Sequence, residues 1–154
     1  MYRFTAFVLG SALYAQPLFV GVARVDITPD KPVALMGYSN PEQRLSQGVH
    51  DLLYARAIAF RSGAKRLVLV SCDLSGFQTA PVLHFQKDIF AKFGLAEDEV
   101  VFCGTHTHSA PMVFLNPTYP HPNNFEYAER LRARLLEVVG QAFAGASARR
   151  SEQA

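Results

Sequence analysis

The chain has 154 residues, enough for one domain with a buried core, and its 49% hydrophobic and 18% charged content excludes a disordered polypeptide. A net charge of +2 excludes the strongly basic balance of a nucleic-acid-binding domain, and no basic stripe interleaved with aromatics is present. The local basic stretches at residues 130–137 and 148–150 read as a solvated helix face and a tail.

Residues 1–15 combine a single positive charge at Arg3 with an uncharged, mostly apolar stretch and a small residue, Ala15. That pattern is expected of a secretory signal peptide, which places the mature protein outside the cytoplasm, secreted or periplasmic. Leu13 fits poorly three residues before a cut after Ala15, so a cut after Ala12 is the alternative; a buried N-terminal strand or helix is the plainer reading. Nothing later approaches the roughly 18 apolar residues of a membrane span, so no transmembrane segment is expected.

Residues 19–28, FVGVARVDIT, are rich in strand formers. Residues 29–48 follow with three prolines and two glycines, which predicts a long loop of the functional kind. Residues 53–60 alternate, with Tyr54, Arg56, Ile58 and Phe60 on one face and alanines on the other. After a turn, residues 67–74, LVLVSCDL, form a continuous apolar run expected of a strand buried on both sides. These two segments are expected to pair as a hairpin. Residues 80–94 carry Val82, Phe85, Ile89 and Phe93 at helical spacing, with Pro81 in the first turn and Gly94 just past the end. Residues 99–104 are the next strand, so strand, helix, strand makes a βαβ unit with parallel strands. Residues 123–145 predict a second helix with Asn124 as its N-cap and a stripe of Tyr127, Leu131, Leu135 and Val138; residues 146–154 read as a frayed tail. The expected fold is α/β, a mixed sheet with an antiparallel hairpin and a parallel βαβ unit, helices packed on it, over residues 18–145.

Chemistry concentrates in residues 100–111, VVFCGTHTHSAP. Ligands of open α/β sheets bind at the carboxyl ends of parallel strands, which brings Asp73, His106 and His108 to one rim. In an extended chain His106 and His108 point to the same side, about 6.5 Å apart at their α-carbons. Two imidazoles so spaced both reach one Zn²⁺, or one holds a metal while the other bonds substrate; a structural role for both is the plainer alternative. Thr105 and Thr107 then face away and tie down the loop. Gly37, in MGYSN, offers a backbone N–H to an oxyanion or simply makes a turn. His50, His84 and His121 read as structural, surface or packing residues. Cys72 and Cys103 read as buried free thiols, with a disulfide as the alternative in an oxidising compartment. No CxxC metal motif, phosphate loop or Ser-His-Asp spacing appears.

Four co-linear stretches, GVARVDITPD, MGYSNPEQRLSQGVHDLLYARAIAF, VSCDL and GTHTHSAP, resemble the N-terminal part of the neutral/alkaline, non-lysosomal ceramidases over residues 20–143. The resemblance implies a zinc-dependent hydrolase that cleaves the amide of ceramide to sphingosine and fatty acid, a lipid substrate met at a membrane surface. By motif, His106 matches the first zinc ligand, His108 the histidine at the scissile amide, and Gly37 a glycine of the same pocket. Asp73 and His50 fall in family motifs without an assigned role. The family's other zinc ligands (a histidine, a glutamate and a tyrosine) and its serine near the metal have no counterpart here. The resemblance therefore implies an N-terminal fragment with an incomplete site; the alternatives are an inactive or non-catalytic α/β domain, or a related hydrolase of another N-acyl amide or ester. Ala110, Met112 and Val113 stand where the family typically has serine or glycine and are expected to reshape the substrate groove or change the amide accepted.

Overall fold

The computed structural model describes residues 16–148. The leader expected at residues 1–15 and the last part of the tail lie outside the described residues. Four strands and two helices follow in the order β1 (Phe19–Asp26), β2 (Tyr54–Ser62), β3 (Lys65–Cys72), α1 (Thr79–Phe93), β4 (Val100–Gly104) and α2 (Pro122–Ala148). The sheet is mixed, with order β1-β2-β3-β4: β2 is antiparallel to both β1 and β3, while β3 and β4 run parallel across the α1 crossover. The expected α/β fold with its hairpin and its βαβ unit is the observed one.

Local chemistry sets the element ends. β1 stops at Asp26, two residues earlier than the strand formers predict, because the Asp26 carboxylate accepts the N–H of Thr28 at 2.7 Å and turns the chain. Gly63 closes the β2–β3 hairpin at φ 58°, and Gly94 ends α1 at φ 61°, both in the left-handed region that glycine enters without strain. α2 starts at Pro122, ahead of Asn124, so Asn124 lies inside the first turn and is not the N-cap. α2 also runs through Ala148, and Ala146 is buried, so the fraying expected from residue 146 begins no earlier than the helix end.

Both helices cover one face of the sheet. Phe85 and Ile89 of α1, Leu131 and Leu135 of α2, and Val68 and Val70 of β3 are fully buried there. Each such side chain contributes about 1.5–3 kcal/mol relative to exposure. The alanines of β2 (Ala55, Ala57 and Ala59) let α2 approach closely, and Gly21 of β1 is closer still: a Cβ at that position would lie 1.9 Å from the Ala142 carbonyl oxygen. The opposite face carries Val22, Ile58, Leu69 and Val101 in one row across all four strands, with Val22, Ile58 and Val101 exposed. The two cysteines divide. Cys72 is a buried free thiol as expected; Cys103 is also free but exposed, because strand alternation turns it to the uncovered face. No described helix is long and apolar enough to cross a membrane.

Candidate functional site

β3 and β4 end side by side, and their continuations build the site. Thr105 N–H donates to the Cys72 carbonyl at 3.0 Å and His106 N–H to the Leu74 carbonyl at 3.0 Å, which extends the parallel pairing past Gly104. Gly104 is required there: a Cβ would lie 2.9 Å from the Leu74 oxygen and 3.0 Å from the Gly76 α-carbon. The chain does not stay extended, as the spacing argument assumes. His106 takes φ 65°, a left-handed conformation uncommon for non-glycine residues but one that histidine, like asparagine and aspartate, enters more readily than most. The two imidazoles nonetheless come together, ring centroids 5.1 Å apart and planes 73° from parallel.

Each ring is held by its own partner. His106 Nδ1 lies 2.7 Å from the Ser75 carbonyl oxygen. A carbonyl only accepts, so Nδ1 carries the proton and Nε2 the free lone pair, the arrangement that metal-ligating histidines use. His108 is flanked by the edge of the Tyr38 ring at 5.7 Å, and Arg44 stacks on Tyr38 at 3.7 Å from its centroid. Gly37, at φ 89°, presses against His108: a Cβ there would lie 2.3 Å from Nδ1, 2.5 Å from Cγ and 2.6 Å from Cε1. His106, His108 and Gly37 are thus one cluster. Among the described residues no three His, Cys, Asp or Glu side chains gather as a metal shell, so this cluster offers one histidine with a free Nε2 lone pair and a second imidazole beside it. The donor chemistry fits one part of a zinc shell.

Other sequence candidates lie apart. Asp73 reaches the same rim, but its carboxylate turns across to β2, accepting from Tyr54 N–H at 2.9 Å and from Arg56 at 2.9 Å. It fastens the rim and does not face the imidazoles. His50 pairs with Asp51 at 2.8 Å on an exposed loop, and that carboxylate raises its pKa. His121 is half-buried rather than exposed; its Nδ1 accepts the Asn123 N–H. Thr107 does tie down the loop, its hydroxyl accepting the Ser109 N–H at 3.2 Å. Ala110, Met112 and Val113 are buried in the interior, so they are not available to line a groove.

A cavity of about 510 Å³ lies on the other side of the histidine loop, lined by Thr107, Ser109, Pro111, Leu35 and the 46–51 stretch. Neither His106 nor His108 lines it. Asn124, expected as a helix cap, has a different role. Its buried carboxamide bonds Ala34 and Met112, a role that no local pattern signals.

Comparison with known proteins places this geometry in context. The family model described as "Neutral/alkaline non-lysosomal ceramidase, N-terminal" matches residues 18–152. The chain is 35% identical over 107 residues to the neutral ceramidase of Oryza sativa subsp. japonica, covering 67% of this chain and 14% of that protein. It is 35% identical over 122 residues to the neutral ceramidase of Pseudomonas aeruginosa, covering 70% of this chain and 18% of that protein. The crystal structure of neutral ceramidase from Pseudomonas aeruginosa superposes with TM-score 0.68 and 27% identity, covering 84% of this chain and 22% of that one. The chain therefore spans less than a quarter of the length of these relatives.

Proposed function

The chain belongs to the neutral/alkaline non-lysosomal ceramidase family, and from that premise we propose that it supplies the His106–His108 half of a zinc site that hydrolyses the amide of N-acylsphingosine. The observation that supports the reading is the hydrogen bond from His106 Nδ1 to the Ser75 carbonyl, which leaves the Nε2 lone pair free to accept a ligand beside His108. The zinc, when bound, would polarise the amide carbonyl and lower the pKa of water toward about 7. His106 would hold the zinc through its free Nε2. His108 faces the scissile amide and, with a backbone N–H near Gly37, stabilises the negative charge that develops on the carbonyl oxygen. Gly37, having no side chain, leaves room for the Nδ1 edge of His108 to pack against the loop.

A catalytic zinc takes three protein ligands, and the described residues supply one lone-pair imidazole and its neighbour. The reading therefore includes completion of the shell by residues outside those described. The substrate is a lipid amide drawn from a membrane surface, and the leader at residues 1–15 directs the protein to a secreted or periplasmic location. The test has two arms. Zinc titrated into this chain is expected to bind weakly, since the shell is incomplete; tight one-to-one binding lost in His106→Ala means that the chain closes the shell itself. In the protein that cleaves N-acylsphingosine with this segment, His106→Ala and His108→Ala are each expected to abolish chelator-sensitive turnover. Turnover unchanged in both variants overturns the assignment.

A further inference from the structure

We infer that Asn124 is a positioning residue for His108, acting through the loop that carries Gly37. The inference rests on the reading that His108 faces the substrate. Asn124 is fully buried at the start of α2. Its carboxamide oxygen accepts the Ala34 N–H at 2.8 Å, and its Nδ2 donates to the Ala34 carbonyl at 3.0 Å and the Met112 carbonyl at 2.7 Å. One side chain thereby bonds both polar groups of Ala34 and reaches across to the segment that follows His108.

Those two segments also pair with each other. Met36 N–H donates to the Ala110 carbonyl at 3.1 Å and Met112 N–H to the Ala34 carbonyl at 2.9 Å, with Leu35 opposite Pro111. Gly37 follows Met36 and His108 precedes Ala110 by two residues, so the register of this short ladder decides whether Gly37 meets His108. A two-stranded pairing this short is marginal in water by itself. Asn124 fixes its register from within the core, and Asn123 adds a bond from its own Nδ2 to the Pro32 carbonyl at 2.7 Å. The side-chain chemistry is specific: an amide brings two donors and an acceptor in one plane. A carboxylate at this position would face two carbonyl oxygens, and an apolar side chain of the same size would leave buried backbone groups without partners.

The test reads the imidazole and the ladder, not turnover, so it fails or succeeds independently of the zinc assignment. Histidine ring ¹H–¹⁵N spectra of this chain are compared with those of Asn124→Ala and Asn124→Asp. The His108 ring signals are expected to shift or broaden while those of His84, on α1, stay in place. Amide exchange at Met36 and Met112 is expected to rise by about tenfold or more, the equivalent of one net hydrogen bond. A folded Asn124→Ala chain with unchanged His108 signals overturns the inference. The unsubstituted protein gives a second reading that needs no variant. Its Met36 and Met112 amides are expected to exchange as slowly as that of Leu131 inside α2. Exchange as fast as in the exposed 46–51 loop overturns the inference even if both variants fail to fold.

Discussion

Replacing Gly37 by alanine adds one methyl group at the point where the site is tightest. The new Cβ would stand 2.3 Å from His108 Nδ1, and ordinary contact begins at 3.4 Å. Either the imidazole or the loop must therefore retreat by about 1 Å, a displacement large enough to cost about 100-fold in a reaction that depends on placement. The backbone adds its own cost. At φ 89° an L-residue is strained, by about 1–2 kcal/mol. In a domain of this size that strain lowers the melting temperature by about 2–8 °C. Three measurements follow on Gly37→Ala: the melting temperature and the His108 ring signals of this chain, and kcat/KM for N-acylsphingosine cleavage where the complete site is present. An alanine variant that melts with the parent and shows parent His108 signals refutes the contact itself. A variant with displaced ring signals but unchanged kcat/KM refutes the role given to His108.

Further outcomes are expected elsewhere in the molecule. Tyr127 is buried with its hydroxyl unpaired among the described residues, so Tyr127→Phe removes an unsatisfied group and is expected to leave stability unchanged or raise it by about 1 kcal/mol in thermal melts; a clear loss would reveal a partner for the hydroxyl. Burial pushes the Cys72 thiol well above its ordinary pKa, whereas Cys103 is exposed, so one thiol is expected to label in the native chain and two in denaturant. Acid is expected to destabilise the fold. The Thr28 hydrogen bonds hold Asp26, the Arg132 guanidinium holds Asp88, and the Ala96 N–H and Arg66 hold Glu99, each below the usual carboxylate range. Groups whose pKa falls on folding stabilise above their unfolded pKa and lose that contribution as pH drops through the folded value. Denaturant midpoints are therefore expected to stay level down to about pH 5 and to fall below about pH 4; a midpoint that rises on acidification contradicts these pairings.

The elements were legible in the chain because each has a periodic signature: alternation in β2, a continuous apolar run in β3, a stripe every three to four residues in α1 and α2. The histidine pair was legible too, because a βαβ unit delivers strand ends to one rim. What could not be read depends on approach between distant segments. The left-handed turn at His106 follows from its bond to Leu74. The turning of Asp73 toward Arg56 follows from the hairpin register. Asn124 looked like a cap because a short polar residue before a helix usually is one. Its burial depends on a loop arriving from 90 residues earlier, which leaves no local pattern.

The contact between Gly21 and the end of α2 has a consequence for the order in which the molecule assembles. β2, β3, α1 and β4 are neighbours in the chain and can close on one another as soon as they exist. β1 is an edge strand of the described sheet, and α2, which packs most closely on it, comes after all four strands in the chain. During synthesis the inner face of β1 therefore stays open to solvent until α2 has emerged, and the slow step in folding this segment is expected to be that long-range closure rather than formation of the βαβ unit. Substitutions at Gly21 are then expected to increase aggregation of newly made chains.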